Sequence, residues 1–497
     1  MLIKPASCKG CPIYGDGTGF SEIRGSGEEG VLIVGEALGE EETKAGKAFV
    51  GKTGQLLERI IYRTHDAEKS RPLDFDRDFW VTNILRCRPP GNKLIGEVYE
   101  DAAIARCRHF LETTIATLKP KAILAIGGTA LKAITTYQGI DRLRGYTFPT
   151  LWGPVVGTYH PSYLVRGKIH LARVVQNDIL KAVTIARHGV PKRDVRYQLN
   201  PTPAEAWAYL ESYLSNITRT LAFDIETPWG TVGEKDEDIW DTQVEDNANY
   251  KILRISFSFE EHTAITMPWM EPYITVAKRL LGSPGPKTVW NGNFDIPRLE
   301  ANDASVEGLV VDAMHAWKAL EPALPMGLKF VATLLCHDIE AWKLKSTNEP
   351  EYYSAVDSDI LLRCFQKIRQ KLIQTNRWEM FHRHFVQLGQ ILTKISRRGV
   401  KVDVEARNSA RNQLTLMLQK LHAEVQPLVP EPLRPRKLFR HPLETLEKLG
   451  YSRADLILVD DQVEELKKGW TLAPEGYLVR IPKPAKKPRA KKKLNTA

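Results

Sequence analysis

Asp224 and Glu226 stand two residues apart where an apolar run, Thr220 to Phe223, gives way to polar text. On a strand, residues at i and i+2 share one face. Carboxylates that close raise each other's pKa, a cost removed when divalent cations sit between them. Two more acids follow in order. Asp295 comes after the strand-like Thr288-Val289-Trp290 and the polar Asn291-Gly292-Asn293, and Asp357 lies four residues beyond Tyr353, on one face of a helix. Four carboxylates and a tyrosine so arranged suit a site for two Mg²⁺ or Mn²⁺ ions.

A second group is built on sulfur. Cys8-Lys9-Gly10-Cys11 opens the chain, and Cys87 and Cys107 follow far downstream. Four thiols without a matching histidine suit a tetrahedral S₄ site, zinc or iron–sulfur. Cys336 and Cys364 lie in apolar helical text and read as packing residues.

The elements that must position these groups alternate. Val31–Val34 reads as a buried strand that breaks at Gly35-Glu36-Ala37-Leu38-Gly39, and Ala48-Phe49-Val50-Gly51 leads into a helix. Further strands are predicted at Phe79–Thr82, ending at Asn83, at Ala122–Ile126, and at Pro154–Thr158, ending before Tyr159-His160-Pro161-Ser162. Strands alternating with helices imply a doubly wound parallel sheet whose ligands bind beyond the carboxyl ends of the strands. Glu36, Asn83 and His160 all fall at such ends. Residues 189–203 read as a polar linker, and Ala204–Asn216 as an amphipathic helix before the Asp224 strand. Ile252–Phe259 and Ala264–Met267 read as strands close enough to pair antiparallel.

Residues 1–188 resemble the iron–sulfur uracil-DNA glycosylases of family 4. The cysteine quartet, Gly35-Glu36-Ala37-Leu38-Gly39, Phe49-Val50-Gly51-Lys52-Thr53-Gly54, Asn83, Cys87-Arg88-Pro89-Pro90 and His160-Pro161-Ser162 carry the resemblance. It implies a [4Fe–4S] cluster on Cys8, Cys11, Cys87 and Cys107. It also implies that Phe49 stacks on an extruded uracil while Asn83 reads its polar edge. His160 would then stabilise the charge on the departing base, and either Glu36 or Glu42 would orient the water. Leu38 stands where that family usually has proline, so the loop carrying Glu36 is expected to be looser.

Asp224, Glu226, Asp295, Tyr353 and Asp357, with Leu328-Lys329-Phe330-Val331-Ala332 and Asp359, resemble the DEDDy 3′→5′ exonuclease set of the proofreading domain of family-A DNA polymerases. This implies a ribonuclease-H-like mixed sheet, two Mg²⁺ or Mn²⁺ ions on the four acids, and a water oriented by Tyr353. Phe381 to Ile395, Gly399-Val400-Lys401-Val402-Asp403 and a helix through Leu414, Leu418 and Leu421 resemble the passage from exonuclease into thumb. Polymerase palm motifs do not follow, so the polymerase part is expected either to be a separate chain that docks here or to have been lost.

The 497 residues exceed what one core can organise. The expected plan is α/β throughout: a glycosylase-like domain (1–188), the linker, an exonuclease domain (204–378), a small helical thumb-like remnant (379–470, with 440–470 helical) and a basic disordered tail (471–497). The net charge of +10 is concentrated in the last 15 residues, where Lys483, Lys486, Lys487, Arg489, Lys491, Lys492 and Lys493 stand without an acid. Such a tail suits phosphate contacts or an acidic partner. No 18-residue apolar run and no signal peptide appear, and six cysteines make no disulfide framework, so a soluble cytoplasmic protein is expected. The function expected is DNA replication or repair, joining uracil excision to proofreading of single-stranded or frayed 3′ ends, with no membrane partner.

Overall fold

The computed structural model describes residues 4–228, 251–428, 456–458, 470–473 and 477–480. The chain divides into two compact units, residues 1–396 and 397–497, and the first holds both expected enzyme-like domains. Among the described residues no helix is long and apolar enough to cross a membrane.

The first sheet is built from β1 (Val31–Gly35), β4 (Phe79–Asn83), β5 (Ala122–Ile126), β6 (Thr147–Thr150) and β7 (Gly153–Thr158); β2 (His65–Asp66) and β3 (Arg71–Pro72) form a small hairpin apart from it. Its order is β4-β1-β5-β7-β6, parallel except for β6. Every residue of β1 and β5 is buried, as continuous apolar runs require when helices cover both faces. The chain runs outward from β1 to β4 and returns to β5 on β1's other side. The topological switch therefore lies between β1 and β5, where a doubly wound sheet opens a crevice.

The second sheet is mixed, ordered β13-β12-β9-β10-β11-β8. It comprises β8 (Arg196–Gln198), β9 (Leu221–Glu226), β10 (Arg254–Ser258), β11 (Thr263–Pro268), β12 (Lys287–Val289) and β13 (Val310–Asp312). β9–β10 and β10–β11 are antiparallel, as expected. The helix Pro350–Gln374 lies across β9, β10 and β11. Its buried residues join those of the first sheet in one continuous core that includes Val31, Val183, Trp342 and Leu361. The other face of the second sheet has its own core, with Ala206, Leu210 and Leu280 from the helices Pro203–Leu214 and Tyr273–Leu281. Cys336 and Cys364 are buried with their sulfurs 4.0 Å apart, within the packing expected of them.

Three expectations are corrected. Residues 189–203 are not wholly linker, because Arg196–Gln198 pairs parallel with β11 as the edge strand β8. Tyr197 holds it there by donating to Asp359 at 2.6 Å, and the alternating run Val195-Arg196-Tyr197-Gln198-Leu199 carries a strand pattern inside text that Pro191 and Pro201 mark as loop. Residues 440–470 are not wholly helical, since Leu456–Leu458 is strand β14. Nor is 471–497 wholly tail: β15 (Trp470–Ala473) and β16 (Tyr477–Arg480) complete an antiparallel sheet ordered β14-β16-β15. Trp, Thr, Leu, Tyr and Val supply the β-favouring residues there. The expected helices of the thumb-like region are present as Gln387–Arg398 and Val404–Val425. The lysine-rich segment 483–493 lies outside the described residues.

Candidate functional site

The crevice of the first sheet gathers the predicted residues. Glu36 follows β1, Asn83 ends β4 and His160 stands just beyond β7. Gly35 makes the crevice possible: a Cβ there would come within 2.4 Å of both the Asn83 Oδ1 and the Phe49 Cζ, so amide and ring meet over a bare backbone. Phe49 reaches this place with φ of 57°, its carbonyl held by Arg24 Nη1 at 3.1 Å. Its ring centroid is 6.4 Å from that of His160.

The backbone N–H of Ser162 donates to His160 Nδ1 at 3.2 Å. The ring proton therefore belongs on Nε2. Burial, helped by the charge of Arg166, pushes the His160 pKa down to about 4. The imidazole is thus neutral near pH 7 and serves as an N–H donor.

The two candidate acids differ in employment. The Glu42 carboxylate is buried and accepts the Gly51 N–H at 2.9 Å, fastening the turn after Phe49 to the helix Glu40–Ala45. Glu36 is half-buried and accepts from the Thr129 hydroxyl at 2.7 Å. Leu38 is buried in the core, which gives the loop an apolar anchor where a looser loop was expected.

Cys8, Cys11, Cys87 and Cys107 line one recess with Lys4, Phe20, Arg86, Arg106 and Phe110. Burial pushes the Cys87 and Cys107 thiols up to about 12 and about 11. Arg86 adds a buried Nε that has no hydrogen-bond partner, on a side chain set beside Phe20 and Phe110.

In the second sheet, Asp224 lies within β9 and Glu226 ends it, and Asp357 faces them from the helix Pro350–Gln374. One carboxylate oxygen from each lies within 4.8 Å of the others. Asp295, on the helix Gly292–Ala301, is buried; burial and the Asp224 charge both hold its pKa well above the usual carboxylate range. Asp357 accepts Trp342 Nε1 on Oδ1 at 2.7 Å and Lys343 Nζ on Oδ2 at 3.0 Å. Lys343 also donates to the Tyr353 hydroxyl. Burial, then the Asp357 charge, holds that phenol protonated. Asp359 serves a different purpose, accepting from Tyr197 and from the His262 N–H to fasten β8 and the β10–β11 hairpin.

The family model for the uracil-DNA glycosylase superfamily matches residues 24–183. A type-4 uracil-DNA glycosylase of Thermotoga maritima is 35% identical over 179 residues, spanning 35% of this chain and 87% of that protein. The chain belongs to the type-4 uracil-DNA glycosylases. A further member of that family, from Pyrobaculum aerophilum, is 33% identical over 33% of this chain and 82% of its own length. The glycosylase domain thus accounts for the first sheet and leaves the second outside the matched region. Solved structures similar in part include the apo form of a nuclease (18% identity, TM-score 0.31, 43% of this chain and 98% of that one) and Brucella melitensis NrnC with bound Mg²⁺ (18%, 0.29, 42% and 98%).

Trp342, Lys343 and Thr129 touch site residues yet did not stand out in the sequence. Trp342-Lys343 precedes the Tyr353 helix without a motif, and Thr129 sits in a helix start, Gly128–Thr135, whose only signal is its glycines.

Proposed function

We propose that this member of the type-4 family carries two hydrolytic centres for DNA, one excising uracil and one trimming 3′ ends. The excision reading is supported above all by the meeting of Phe49, Asn83 and His160 at the carboxyl ends of the parallel strands. An extruded base stacks on the Phe49 ring, and the Asn83 amide pairs with its polar edge. The neutral His160 donates from Nε2 to the uracil oxygen that gains charge as the N-glycosidic bond breaks. Glu36, whose carboxylate is held by one hydroxyl, orients water toward the sugar, while Glu42 braces the Phe49 loop.

The gathering of the four cysteines in one recess and the buried, unpartnered Arg86 Nε beside them support a bound [4Fe–4S] cluster. Bound there, the cluster ties the N-terminus to the loop after Asn83. The nuclease reading is supported by three carboxylates on one spot with a protonated tyrosine beside them. Asp224, Glu226 and Asp357 would hold Mg²⁺ or Mn²⁺, with Asp295 behind them; bound ions supply Lewis-acid polarisation of the terminal phosphodiester. Tyr353 orients the attacking water. A DNA-repair setting, in which one centre removes uracil and the other clears 3′ ends, follows from the two chemistries.

An end-labelled single strand with one internal uracil tests both centres, first in EDTA and then with Mg²⁺. Alkali-labile cleavage at the uracil in EDTA, abolished by His160→Ala, is the expected result, with 3′ trimming only after Mg²⁺. Absence of the first would reduce residues 1–188 to a binding module. A partner polymerase chain remains a second reading, favoured by one observation: Leu414, Leu418 and Leu421 on the helix Val404–Val425 are all exposed. Pull-down with and without residues 380–497 tests it.

A further inference from the structure

Asp357 has two oxygens to place, and the structure assigns one of them firmly. Trp342 Nε1 donates to Oδ1, and an indole N–H can only donate, so that oxygen is held by the indole while Oδ2 accepts Lys343 Nζ at 3.0 Å. What holds Trp342 is less local than it looks. Its segment, Trp342–Lys345, is a single 3₁₀ turn, too short to have stability of its own. Its side chain is nonetheless fully buried.

The ring that meets it comes from the glycosylase domain. Tyr146 packs edge-on against Trp342, centroids 5.9 Å apart at 81°. Tyr146 is itself clamped across the boundary, its hydroxyl donating to the Lys329 carbonyl at 3.0 Å. On one side, Gly145 takes φ of 74° and approaches Thr333 so closely that a Cβ would lie 2.8 Å from the threonine Cβ. Lys181 Nζ caps the Gly145 carbonyl at 2.6 Å. Two residues before Tyr146, the buried Arg144 donates to Asp178 at 3.0 Å, to the Phe330 carbonyl at 3.1 Å and to the Thr333 hydroxyl. Contacts thus run unbroken from the loop ahead of β6 to a nuclease carboxylate.

We propose that Trp342 is a positioning residue for the Asp357 carboxylate and that the glycosylase domain, through Tyr146, holds Trp342 in place. This rests on the nuclease reading above. Its consequence is that the nuclease centre depends on a domain whose own chemistry is unrelated.

The test uses the full chain and two readouts, Mn²⁺ binding by EPR titration and Mn²⁺-dependent 3′ trimming. Trp342→Phe keeps an aromatic ring, smaller than the indole, and removes the N–H. It is expected to raise the half-saturating Mn²⁺ concentration about tenfold, with uracil excision in EDTA unchanged within about twofold. Tyr146→Leu is expected to shift Mn²⁺ in the same direction by about threefold or more, and Tyr146→Phe, which keeps the ring, to stay near wild type. Mn²⁺ affinities for Trp342→Phe and Tyr146→Leu equal to wild type, with Asp357→Asn impaired, would overturn the proposal. A wild-type chain that binds Mn²⁺ without trimming DNA would sink the nuclease reading alone, since the EPR shifts still report on positioning. No Mn²⁺ binding by wild type would sink both.

Discussion

Replacing Arg144 by methionine is the sharpest perturbation the structure offers. The Arg144 and Asp178 side chains are 1% and 0% exposed. Methionine keeps much of the stem but removes the guanidinium from Asp178, the Phe330 carbonyl, the Thr333 hydroxyl and the Phe330 ring, whose centroid lies 4.3 Å away. Asp178 then keeps the Thr158 hydroxyl at 2.8 Å, with Lys181 as the remaining nearby cation. Breaking a buried pair from one side costs about 3–5 kcal/mol. Hydrogen exchange is the right assay, because unfolding of a chain with several domains is not two-state. A loss of about 4 kcal/mol corresponds to roughly a 10³-fold fall in amide protection, read in the helices Ala172–His188 and Leu328–Leu335, one on each side of the boundary. Burial already pushes the Asp178 pKa up, and losing Arg144 pushes it further. A carboxyl whose folded pKa is raised loses stability as pH climbs from its unfolded value toward the folded one, so the defect grows upward from about pH 4. Adding Asp178→Asn removes the stranded charge and is expected to restore about 2 kcal/mol. A fall in protection below tenfold, or no recovery in the double variant, would refute this reasoning.

Four other outcomes are expected. Asp224→Ala or Asp357→Asn lowers 3′ trimming by about 10³-fold or more while uracil excision in EDTA is unaffected, measured on one labelled strand. His160→Ala lowers excision about 10²–10³-fold. Because the His160 pKa falls to about 4 from 6.5, the folded state loses stability as pH drops from 6.5 toward 4, and His160→Gln flattens the dependence of Tm on pH across that window. Glu36→Gln lowers kcat for excision with Tm unchanged, whereas Glu42→Ala strands the Gly51 N–H, costs about 1–3 kcal/mol and lowers Tm. Cys87→Ala lowers iron content and visible absorbance of the purified chain together with excision, leaving metal-dependent trimming intact.

Much of both candidate sites was legible because their residues sit where the local pattern changes. Glu36, Asn83 and His160 each follow an apolar strand, and the end of a parallel strand is a place the fold itself designates for chemistry. Asp224 and Glu226 announced themselves by their spacing, and Tyr353 with Asp357 by a helical repeat. Hidden was everything whose role depends on a distant neighbour. Glu36 and Glu42 are alike as text, and only the Gly51 N–H on one and the Thr129 hydroxyl on the other tell them apart. Tyr197 reads as a linker residue until Asp359 is placed opposite it. Lys343 reads as a surface lysine until the fold brings it to Asp357.

Residues 189–195 are all that lie between the last glycosylase helix and β8 of the second sheet. So brief a tether, between halves that share a core, rules out swinging one catalytic centre to the other like a carrier arm. If both centres act as proposed, a strand that has lost uracil at one must travel to the other by its own movement, sliding along the protein or leaving and rebinding. Whether the two reactions occur in one encounter is then set by the DNA's residence time, and an excess of unlabelled competitor added after excision would measure it.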